Sequence, residues 1–250
     1  MTERKPQFIA ANWRVPDWVK AVTTTRIGGV SEAPFDQFNL GDHVGDRPEH
    51  VLQNRKVLQS ELELPNAPIW LDQVHGVRVA EVSSRAVGEA LEADAAVTRE
   101  RGCVLAIMTA DCLPIVLSSP ENNVISAVHG GWRGLAGDII QNAVIAMDCP
   151  PSSIEAWLGP AIGPECFEVG DDVWDQFVSQ DWKMAECFRA TKDQKFMADL
   201  YAIARRSLST LGITNIVGGN HCTYTEDDMF YSYRRSPNTG RMATLAWMTP

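Results

Sequence analysis

The chain has 250 residues, of which 45% are hydrophobic, and its 22 Lys and Arg against 32 Asp and Glu give a formal net charge of -10. This length and composition can bury a sizeable core, and we predict one domain over residues 1–250. An acidic chain offers no overall basic field to phosphodiester backbones or anionic lipid. We therefore expect neither a nucleic-acid partner nor a membrane partner.

The N-terminal segment and the cysteines indicate the compartment. Residues 1–16 lack the uninterrupted apolar stretch of a signal peptide, and no run approaches the ~20 apolar residues of a membrane span. Without an export signal, the six cysteines are expected to stay as thiols in a reducing cytoplasm. The sequence leaves the oligomeric state open, and a monomer is one of the options.

The N-terminal part of the chain predicts a strand, an ordered loop and a helix. Residues from Val19 to Thr25 alternate and are rich in β-branched side chains, and they lead to a turn at Gly28 and Gly29. A helix is predicted to start at Asp46 as N-cap, with Glu49 closing a capping box. Its amphipathic spacing comes from Val51, Leu52, Arg55, Leu58 and Leu62.

The middle of the chain is mainly β. Closely spaced apolar runs predict a buried central sheet, with strands at Ile69–Leu71, Val77–Val82, Ala95–Thr98, Cys103–Met108, Leu113–Ser118 and Val124–Val128. After Gly130 and Gly131 the period changes to that of a packed helix. One row of that helix consists of Leu135, Ile139, Ala143 and Met147.

Strands and helices remain mixed to the end of the chain. We predict strands at 154–158, 213–217 and 243–248, and helices at 173–178 and 197–211. The fold class is therefore α/β, or mixed α+β, in a single domain.

Three chemically capable side chains stand where apolar runs meet turns or helix starts: His75, Cys112 and His129. Two imidazoles and one thiolate are good zinc ligands, and three protein ligands leave a fourth position open for water or substrate. The separation of the three residues matches no local zinc-finger pattern. The spacing therefore indicates a catalytic type of site only if the fold brings the residues together.

Two other interpretations of the same residues remain open. Cys112 and His129 could be a nucleophile and its base, with Asp94 or Asp111 orienting the imidazole. Copper is also an option, because two histidines and one cysteine form the blue-copper ligand set. Multicopper oxidase chemistry is disfavoured, since the chain has only five histidines and no His-x-His pair.

Several residues are candidates for binding an anionic or aromatic substrate. Arg133 follows His129 at a predicted helix start, where backbone N–H groups and a guanidinium can bind phosphate. We also predict that Arg26 and His43 bind phosphate. The segment 159–167 is rich in Gly and Pro, and the segment 230–235, with Arg234, mixes aromatic rings and cations suited to a base and a phosphate.

At these residues the chain closely resembles the bacterial laccase-domain proteins, often labelled multicopper polyphenol oxidases. The matching motifs span nearly the whole chain and are Thr24–Ser31, Asn39–Gly41, Gln73–Gly76, Ala93–Ala95, Thr109–Pro114, His129–Gly134, Leu158–Pro164 and Cys222–Tyr224. From these motifs we add Asn39 and Gln73 to the predicted substrate-binding residues.

The resemblance implies a laccase-like domain of layered mixed β-sheets flanked by helices, similar to a cysteine-hydrolase-like fold. It implies Zn²⁺, with Cu²⁺ as the alternative, held by His75, Cys112 and His129. It also implies a transferase and hydrolase: a purine nucleoside phosphorylase using phosphate on adenosine, inosine and methylthioadenosine, with adenosine deaminase activity at the same site. The alternatives are an amidase that edits serine-containing peptidoglycan precursors, a copper-dependent polyphenol oxidase, which is disfavoured, and a non-catalytic protein with a structural metal.

Overall fold

The computed structural model describes residues 5–88 and 91–250. The first four residues of the segment searched for a signal peptide therefore lie outside the described part. Within the described ranges no helix combines the length and the apolar character needed to cross a membrane. The α-helices are α1 (Pro48–Glu61), α2 (Trp132–Ala136), α3 (Ile139–Met147), α4 (Asp171–Val178) and α5 (Leu200–Thr210).

The strands, in chain order, are β1 (Phe8–Ala10), β2 (Val19–Thr24), β3 (Ile69–Asp72), β4 (Val79–Glu81), β5 (Leu91–Glu92), β6 (Ala95–Thr98), β7 (Val104–Thr109), β8 (Leu113–Ser119), β9 (Val124–Gly130), β10 (Glu155–Leu158), β11 (Glu168–Val169), β12 (Phe188–Ala190), β13 (Phe196–Ala198), β14 (Asn215–Gly218) and β15 (Met242–Met248). Short 3-10 helices occupy Ser84–Ala86, Pro120–Asn122, Pro151–Ser153 and Trp182–Cys187.

These strands form two mixed six-stranded sheets and one small sheet. The first sheet has the order β1-β2-β15-β7-β3-β5, and the second has the order β14-β10-β8-β9-β6-β4. Most neighbours are antiparallel, but four pairs are parallel: β3 with β7, β3 with β5, β10 with β14, and β4 with β6. Strands β11, β13 and β12 form the three-stranded sheet.

The two large sheets pack face to face and are covered by helices on their outer sides. Ile107 of the first sheet and Ile125 of the second belong to one buried apolar cluster between the sheets. Leu58 of α1 packs on the outer face of the first sheet, while Ile140 of α3 and Leu208 of α5 pack on the outer face of the second. This layering confirms the predicted mixed α/β fold with layered sheets flanked by helices.

Three successive connections carry the chain from the first sheet to the second. They join β3 to β4, β5 to β6, and β7 to β8. His75 lies on the first connection, Asp94 on the second and Cys112 on the third. The sheet topology therefore gathers residues that are far apart in the sequence.

The start of α1 differs from the prediction. Its N-cap is Arg47, which makes no side-chain capping bond, so the predicted Asp46–Glu49 capping box is wrong. The Asp46 carboxylate instead accepts hydrogen bonds from Ser31 and Asn39, at 2.6 and 2.9 Å. Leu52, expected to face the core, is 57% exposed.

Two other predicted helices have different bounds. The helix predicted after Gly131 is broken into α2 and α3, because Asp138 between them adopts a left-handed φ of 68°. The helix predicted from residue 197 begins at Leu200, where Asp199 accepts a hydrogen bond from the N–H of Ala202 at 3.0 Å. The residues just before it pair as β13 instead.

Candidate metal centre and its cavity

His75 lies on an exposed loop that one carboxylate fixes in place. Its backbone has a φ of 61°, in the left-handed region that costs a non-glycine residue on the order of 1 kcal/mol. Asp94 compensates by accepting hydrogen bonds from the backbone N–H groups of Val74, His75 and Gly76, at 3.3, 2.9 and 2.6 Å. Because these bonds hold the loop, the His75 ring has a defined direction.

His129 is near the C-terminal end of β9 and is 3% exposed. Strand alternation places it on the same face as Ile125 and Ala127, the face that looks toward the first sheet. Its Nδ1 lies 2.7 Å from a carboxylate oxygen of Asp94, and its backbone N–H donates to the Asp94 carbonyl. With Nδ1 engaged, Nε2 is the ring nitrogen left for a ligand.

Cys112 reaches the same place through strand register. In the antiparallel pair of β8 and β9, Leu113 is opposite Gly130 and Pro114 is opposite His129. Cys112, one residue before Leu113, therefore lies beside the end of β9, with its Sγ 3.8 Å from Nε2 of His75. The Cβ of any side chain at Gly131 would lie 2.9 Å from the His75 ring and 3.3 Å from the Cys112 sulfur, so the motif needs glycine there.

Asp111 does not orient an imidazole, so that predicted role is wrong. One of its carboxylate oxygens accepts from the hydroxyl of Thr223 at 2.7 Å. The other accepts from the hydroxyl of Ser232 and the backbone N–H of Arg234, at 3.0 and 2.7 Å. Asp111 thus ties the C-terminal loop to the connection that carries Cys112, and only Asp94 contacts the His129 ring.

The electrostatics of the cluster favour a thiolate beside an imidazolium. Burial raises the pKa of the Cys112 thiol, but the charge of His129 and hydrogen bonds from both histidines outweigh it and lower that pKa from 9.0 to about 6. Burial lowers the pKa of His129, but Cys112 and Asp94 outweigh it and raise that pKa from 6.5 to about 9. Burial also opposes the ionisation of Asp94, yet its hydrogen bonds with His129 and Gly76 lower its pKa overall.

The three side chains fit a metal ion by their chemistry and their proximity. One ligand atom from each of His75, Cys112 and His129 lies within 4.8 Å of the others. Thiolate and neutral imidazole suit zinc or copper. Within residues 5–88 and 91–250 this cluster of candidate ligands contains these three residues and no fourth. A set of three leaves one position for a reactant, as catalytic zinc sites do.

The cluster opens onto a cavity of about 520 Å³, within the range of roughly 300–1,000 Å³ that is typical of small-molecule sites. Its lining comprises His43, Gln73, His75, Met108, Thr109, Ala110, Asp111, Cys112, His129, Trp132, Arg133, Ile162, Phe167, Leu200, Tyr233, Arg234 and Arg241. Four of the six predicted substrate-binding residues, His43, Gln73, Arg133 and Arg234, are therefore at the cavity.

Two of these four residues, Gln73 and Arg133, already contact other groups of the protein. The Gln73 amide exchanges two hydrogen bonds with the backbone of Met108, at 2.8 and 2.7 Å, so it shapes the cavity wall. The Arg133 guanidinium lies 4.4 Å from the centre of the Trp132 ring. Helix α2, which begins at Trp132, has only five residues, so it is a weaker dipole than the long helix predicted there.

The other two predicted substrate-binding residues lie outside the cavity lining. Arg26 pairs with Asp36, donates to the carbonyl of Asp227 and stacks over Tyr231. Asn39 is fully buried and bonds to the backbone of Gly41 and of Arg241. Both residues support loops of the structure.

Arg241 lines the cavity but is not among the predicted residues, and only part of the predicted aromatic segment 230–235 lines it. Within 230–235, Tyr233 and Arg234 line the cavity, whereas Phe230 and Tyr231 are fully buried core residues. Arg241 lies directly before β15. A cation next to a predicted buried strand was the sequence signal that could have identified it. Phe167 and Ile162 lie in the predicted 159–167 loop and do line the cavity.

Comparison with known proteins shows similarity along almost the whole chain. The family model described as "Multi-copper polyphenol oxidoreductase laccase" matches residues 20–249. A Haemophilus influenzae protein named purine nucleoside phosphorylase is 46% identical over 243 residues, covering 96% of this chain and 99% of that protein. An Escherichia coli protein named purine nucleoside phosphorylase YfiH is 44% identical over 242 residues, covering 97% and 99%. A crystal structure of a Neisseria meningitidis protein matches with a TM-score of 0.93 at 44% identity, covering 97% and 99%.

Proposed function

The chain belongs to the multi-copper polyphenol oxidoreductase laccase family, and from that membership and the His-Cys-His centre we propose that it is a metal-dependent purine nucleoside phosphorylase. The substrates would be a purine nucleoside and inorganic phosphate. Relatives that are 44–46% identical over nearly their full length carry this activity in their names. A nucleoside phosphorylase breaks the C–N glycosidic bond and forms a C–O bond between the sugar and phosphate.

One observation supports the proposal above the others: the three metal-binding side chains face a cavity that also presents cations and aromatic rings. Arg234 and Arg241 can attract phosphate, and their guanidinium groups lie 5.2 and 5.9 Å from the ring centres of Phe167 and Tyr233. A purine would stack on the ring faces that these arginines leave free. Phosphorolysis needs both reactants held close together near a centre that stabilises charge. The cavity brings these features together.

His75, Cys112 and His129 would hold the metal, and we propose zinc as its identity. Zinc would supply Lewis-acid polarisation of a reactant oxygen. The protein's contribution is to fix the donors: the Asp94 carboxylate orients His129 through Nδ1 and holds the loop of His75 through backbone bonds. Such outer partners of metal ligands typically affect metal affinity by about 10–100-fold.

We further propose adenosine, inosine and methylthioadenosine as substrates, with adenosine deamination at the same centre. The cavity supports a shared site, because the metal-binding side chains and the aromatic rings line the same space. A copper polyphenol oxidase is less well supported. Multicopper chemistry needs several metal centres, and the described residues contain one such group of three donors. All six cysteines are unpaired, which supports a cytoplasmic location for the proposed enzyme.

The test is phosphate-dependent release of base. Purified protein with one equivalent of zinc is incubated with adenosine, with and without phosphate, and adenine, inosine and ribose 1-phosphate are quantified by chromatography. We expect ribose 1-phosphate only when phosphate is present, in an amount equal to adenine plus hypoxanthine, which is also quantified because deamination gives inosine and inosine is itself a proposed substrate. Inosine in either condition reports deamination.

Two cysteine variants show whether the centre formed by His75, Cys112 and His129 is responsible for the phosphorolysis. Cys112→Ala should lose bound zinc and reduce the phosphorolysis rate by at least about 100-fold. The matched control is Cys149→Ala, at a half-buried thiol outside the cavity, which should keep both the metal and the rate. Full zinc content and full rate in Cys112→Ala would overturn the proposed metal centre.

A further inference from the structure

The arginines that line the cavity are not paired with carboxylates. Elsewhere in the described residues, six arginines form ion pairs: Arg26, Arg47, Arg55, Arg99, Arg189 and Arg206. Arg133, Arg234 and Arg241 at the cavity form none within 4.0 Å in that part of the chain. Asp111 is the acidic residue in the lining, and three hydrogen bonds already occupy its oxygens. The three arginines of the described lining therefore outnumber its one carboxylate, and none of them forms an ion pair with it.

The fold holds Arg241 both at its backbone and along its side chain. Its backbone N–H donates to the side chain of Asn39 at 2.9 Å, and its carbonyl accepts from the N–H of Leu40 at 3.2 Å. Its aliphatic carbons pack against Gly41, where an added Cβ would lie 2.8 Å from Cγ of Arg241. The Asn39–Gly41 motif, in which Asn39 is the predicted substrate-binding residue, thus positions Arg241.

The guanidinium of Arg241 is only partly used by the protein. Its Nη1 donates to the carbonyls of Thr239 and Gly240, each at 3.0 Å. Nε and Nη2 have no hydrogen-bond acceptor among residues 5–88 and 91–250. Burial lowers the pKa of Arg241, and attraction to Cys112, Tyr233 and Asp111 partly offsets this effect. The guanidinium carbon lies 5.9 Å from the centre of the Tyr233 ring.

A half-buried guanidinium with two unused donors is costly unless an acceptor completes it. Nε and one Nη form the planar fork that binds two oxygens of a phosphate or carboxylate at once. Arg133 and Arg234 are exposed, so their ion pairs with a ligand would be more strongly screened by solvent. Arg241 is therefore the strongest anion-binding group that the cavity offers.

We propose that Arg241 binds the phosphate co-substrate, with Nε and Nη2 donating to two of its oxygens. This assignment rests on the proposed phosphorolysis and adds the residue that determines affinity for phosphate. Asn39 acts as a positioning residue through the backbone of Arg241. The nucleoside is bound by other parts of the cavity.

The test measures phosphate binding and kinetics in the full-length zinc-loaded protein. Arg241→Lys keeps the charge but loses the planar fork, and Arg241→Gln loses both. The matched control is Arg205→Lys, because Arg205 also donates to two backbone carbonyls, those of Ile216 and Gly218, but lies outside this cavity. Inorganic phosphate is titrated by calorimetry, and KM is measured separately for phosphate and for adenosine. Thermal melting identifies any variant that fails to fold.

In Arg241→Lys we expect the Kd and KM for phosphate to rise about 10- to 100-fold, the range for losing a charged bidentate contact. Arg241→Gln should show a larger rise. The KM for adenosine should stay within about twofold, and Arg205→Lys should match the wild type in all three constants.

Other outcomes overturn one proposal or the other. Unchanged phosphate Kd and KM in Arg241→Lys, with turnover retained, would overturn the assignment and leave the proposed function intact. A rise confined to the KM for adenosine would also overturn it. If wild-type protein shows no phosphorolysis, the proposed function fails, while a phosphate Kd that rises in both Arg241 variants still supports an anion site at Arg241.

Discussion

Two groups of residues that line the cavity, here called walls, are supported differently. The ligand wall (His75, Cys112 and His129) depends on one fully buried carboxylate, Asp94, which contacts both the His129 ring and the loop of His75. The arginine wall (Tyr233, Arg234 and Arg241) is held by several backbone hydrogen bonds, such as those of Arg241 to Thr239 and Gly240. Asp94 is thus the shared support of the two histidines, whereas the second wall has several supports, one of which, Asp111, also joins it to the connection that carries Cys112.

This difference implies two kinds of response to mutation. Loss of the shared buried support should disable both histidine ligands together, because the bonds it makes are coupled. Loss of one residue from the arginine wall should weaken one contact with substrate and leave the others in place. The predictions that follow test this contrast, beginning with the largest expected effect.

The largest effect is expected from Asp94→Ala. The substitution removes the partner of the buried His129 ring and the acceptor of three backbone N–H groups. Leaving a buried charge unpaired costs about 3–5 kcal/mol, so unfolding in urea should shift strongly and zinc should be lost. Asp94→Asn, which keeps the size, should retain the fold and weaken zinc binding by about 10–100-fold.

The control for Asp94 is Asp42→Asn, at an exposed carboxylate that pairs with Arg55. It should change stability by less than about 1 kcal/mol. If Asp94→Ala keeps both its zinc and its stability, Asp94 is not the common support of the ligand wall, and the contrast between the walls fails.

The next effect concerns the reactivity of Cys112 in metal-free protein. Its lowered pKa of about 6 keeps the thiolate dominant above pH 6 and protonates it as the pH falls through that value. Alkylation by iodoacetamide should therefore be about tenfold faster at pH 7 than at pH 5. Rates are measured by mass spectrometry of the Cys112 peptide.

Cys166 is the internal comparison, because burial and the neighbouring Cys222 raise its pKa to about 11. It should remain unmodified at both pH values, and added zinc should protect Cys112. A Cys112 rate that still rises tenfold per pH unit between pH 7 and pH 8 would indicate an ordinary thiol and contradict the ion pair with His129.

The smallest effect is expected on the arginine wall, from Tyr233→Ala. The Tyr233 ring is 54% exposed and lines the cavity. If a purine stacks on this ring, its removal costs about 1 kcal/mol and raises the KM for adenosine roughly fivefold. Tyr233→Phe, which keeps the stacking face, should match the wild type. A loss of zinc in Tyr233→Ala would show that the two walls are not independent.

Much of the ligand wall was predictable because its signals are local. Apolar runs located strands such as β6, whose bounds Ala95–Thr98 match the prediction, and glycine-rich turns marked where His129 and Cys112 are displayed. The choice between a metal centre and a cysteine–histidine dyad needed the three-dimensional cluster, since it depends on His75 lying beside Cys112.

The arginine wall was less predictable because its contacts join distant parts of the chain. Arg241 is positioned by Asn39, about 200 residues earlier in the sequence, through a backbone hydrogen bond that no motif reveals. Arg26 is a predicted phosphate-binding residue, but an ion pair with Asp36 uses its charge. The helix break at Asp138 was also missed, because the apolar row continues across it.

The three sheet-to-sheet connections have a consequence for folding. His75, Asp94 and Cys112 each lie where the chain passes from the first sheet to the second, and His129 belongs to the second sheet alone. A chain with either sheet unformed cannot assemble the four groups, so a nascent or partly unfolded molecule has no complete metal centre. Ions bound by the native state alone would also stabilise the contact between the sheets by mass action. Metal occupancy would then report that the two sheets have docked, and the centre would serve as a check on assembly as well as a site for chemistry.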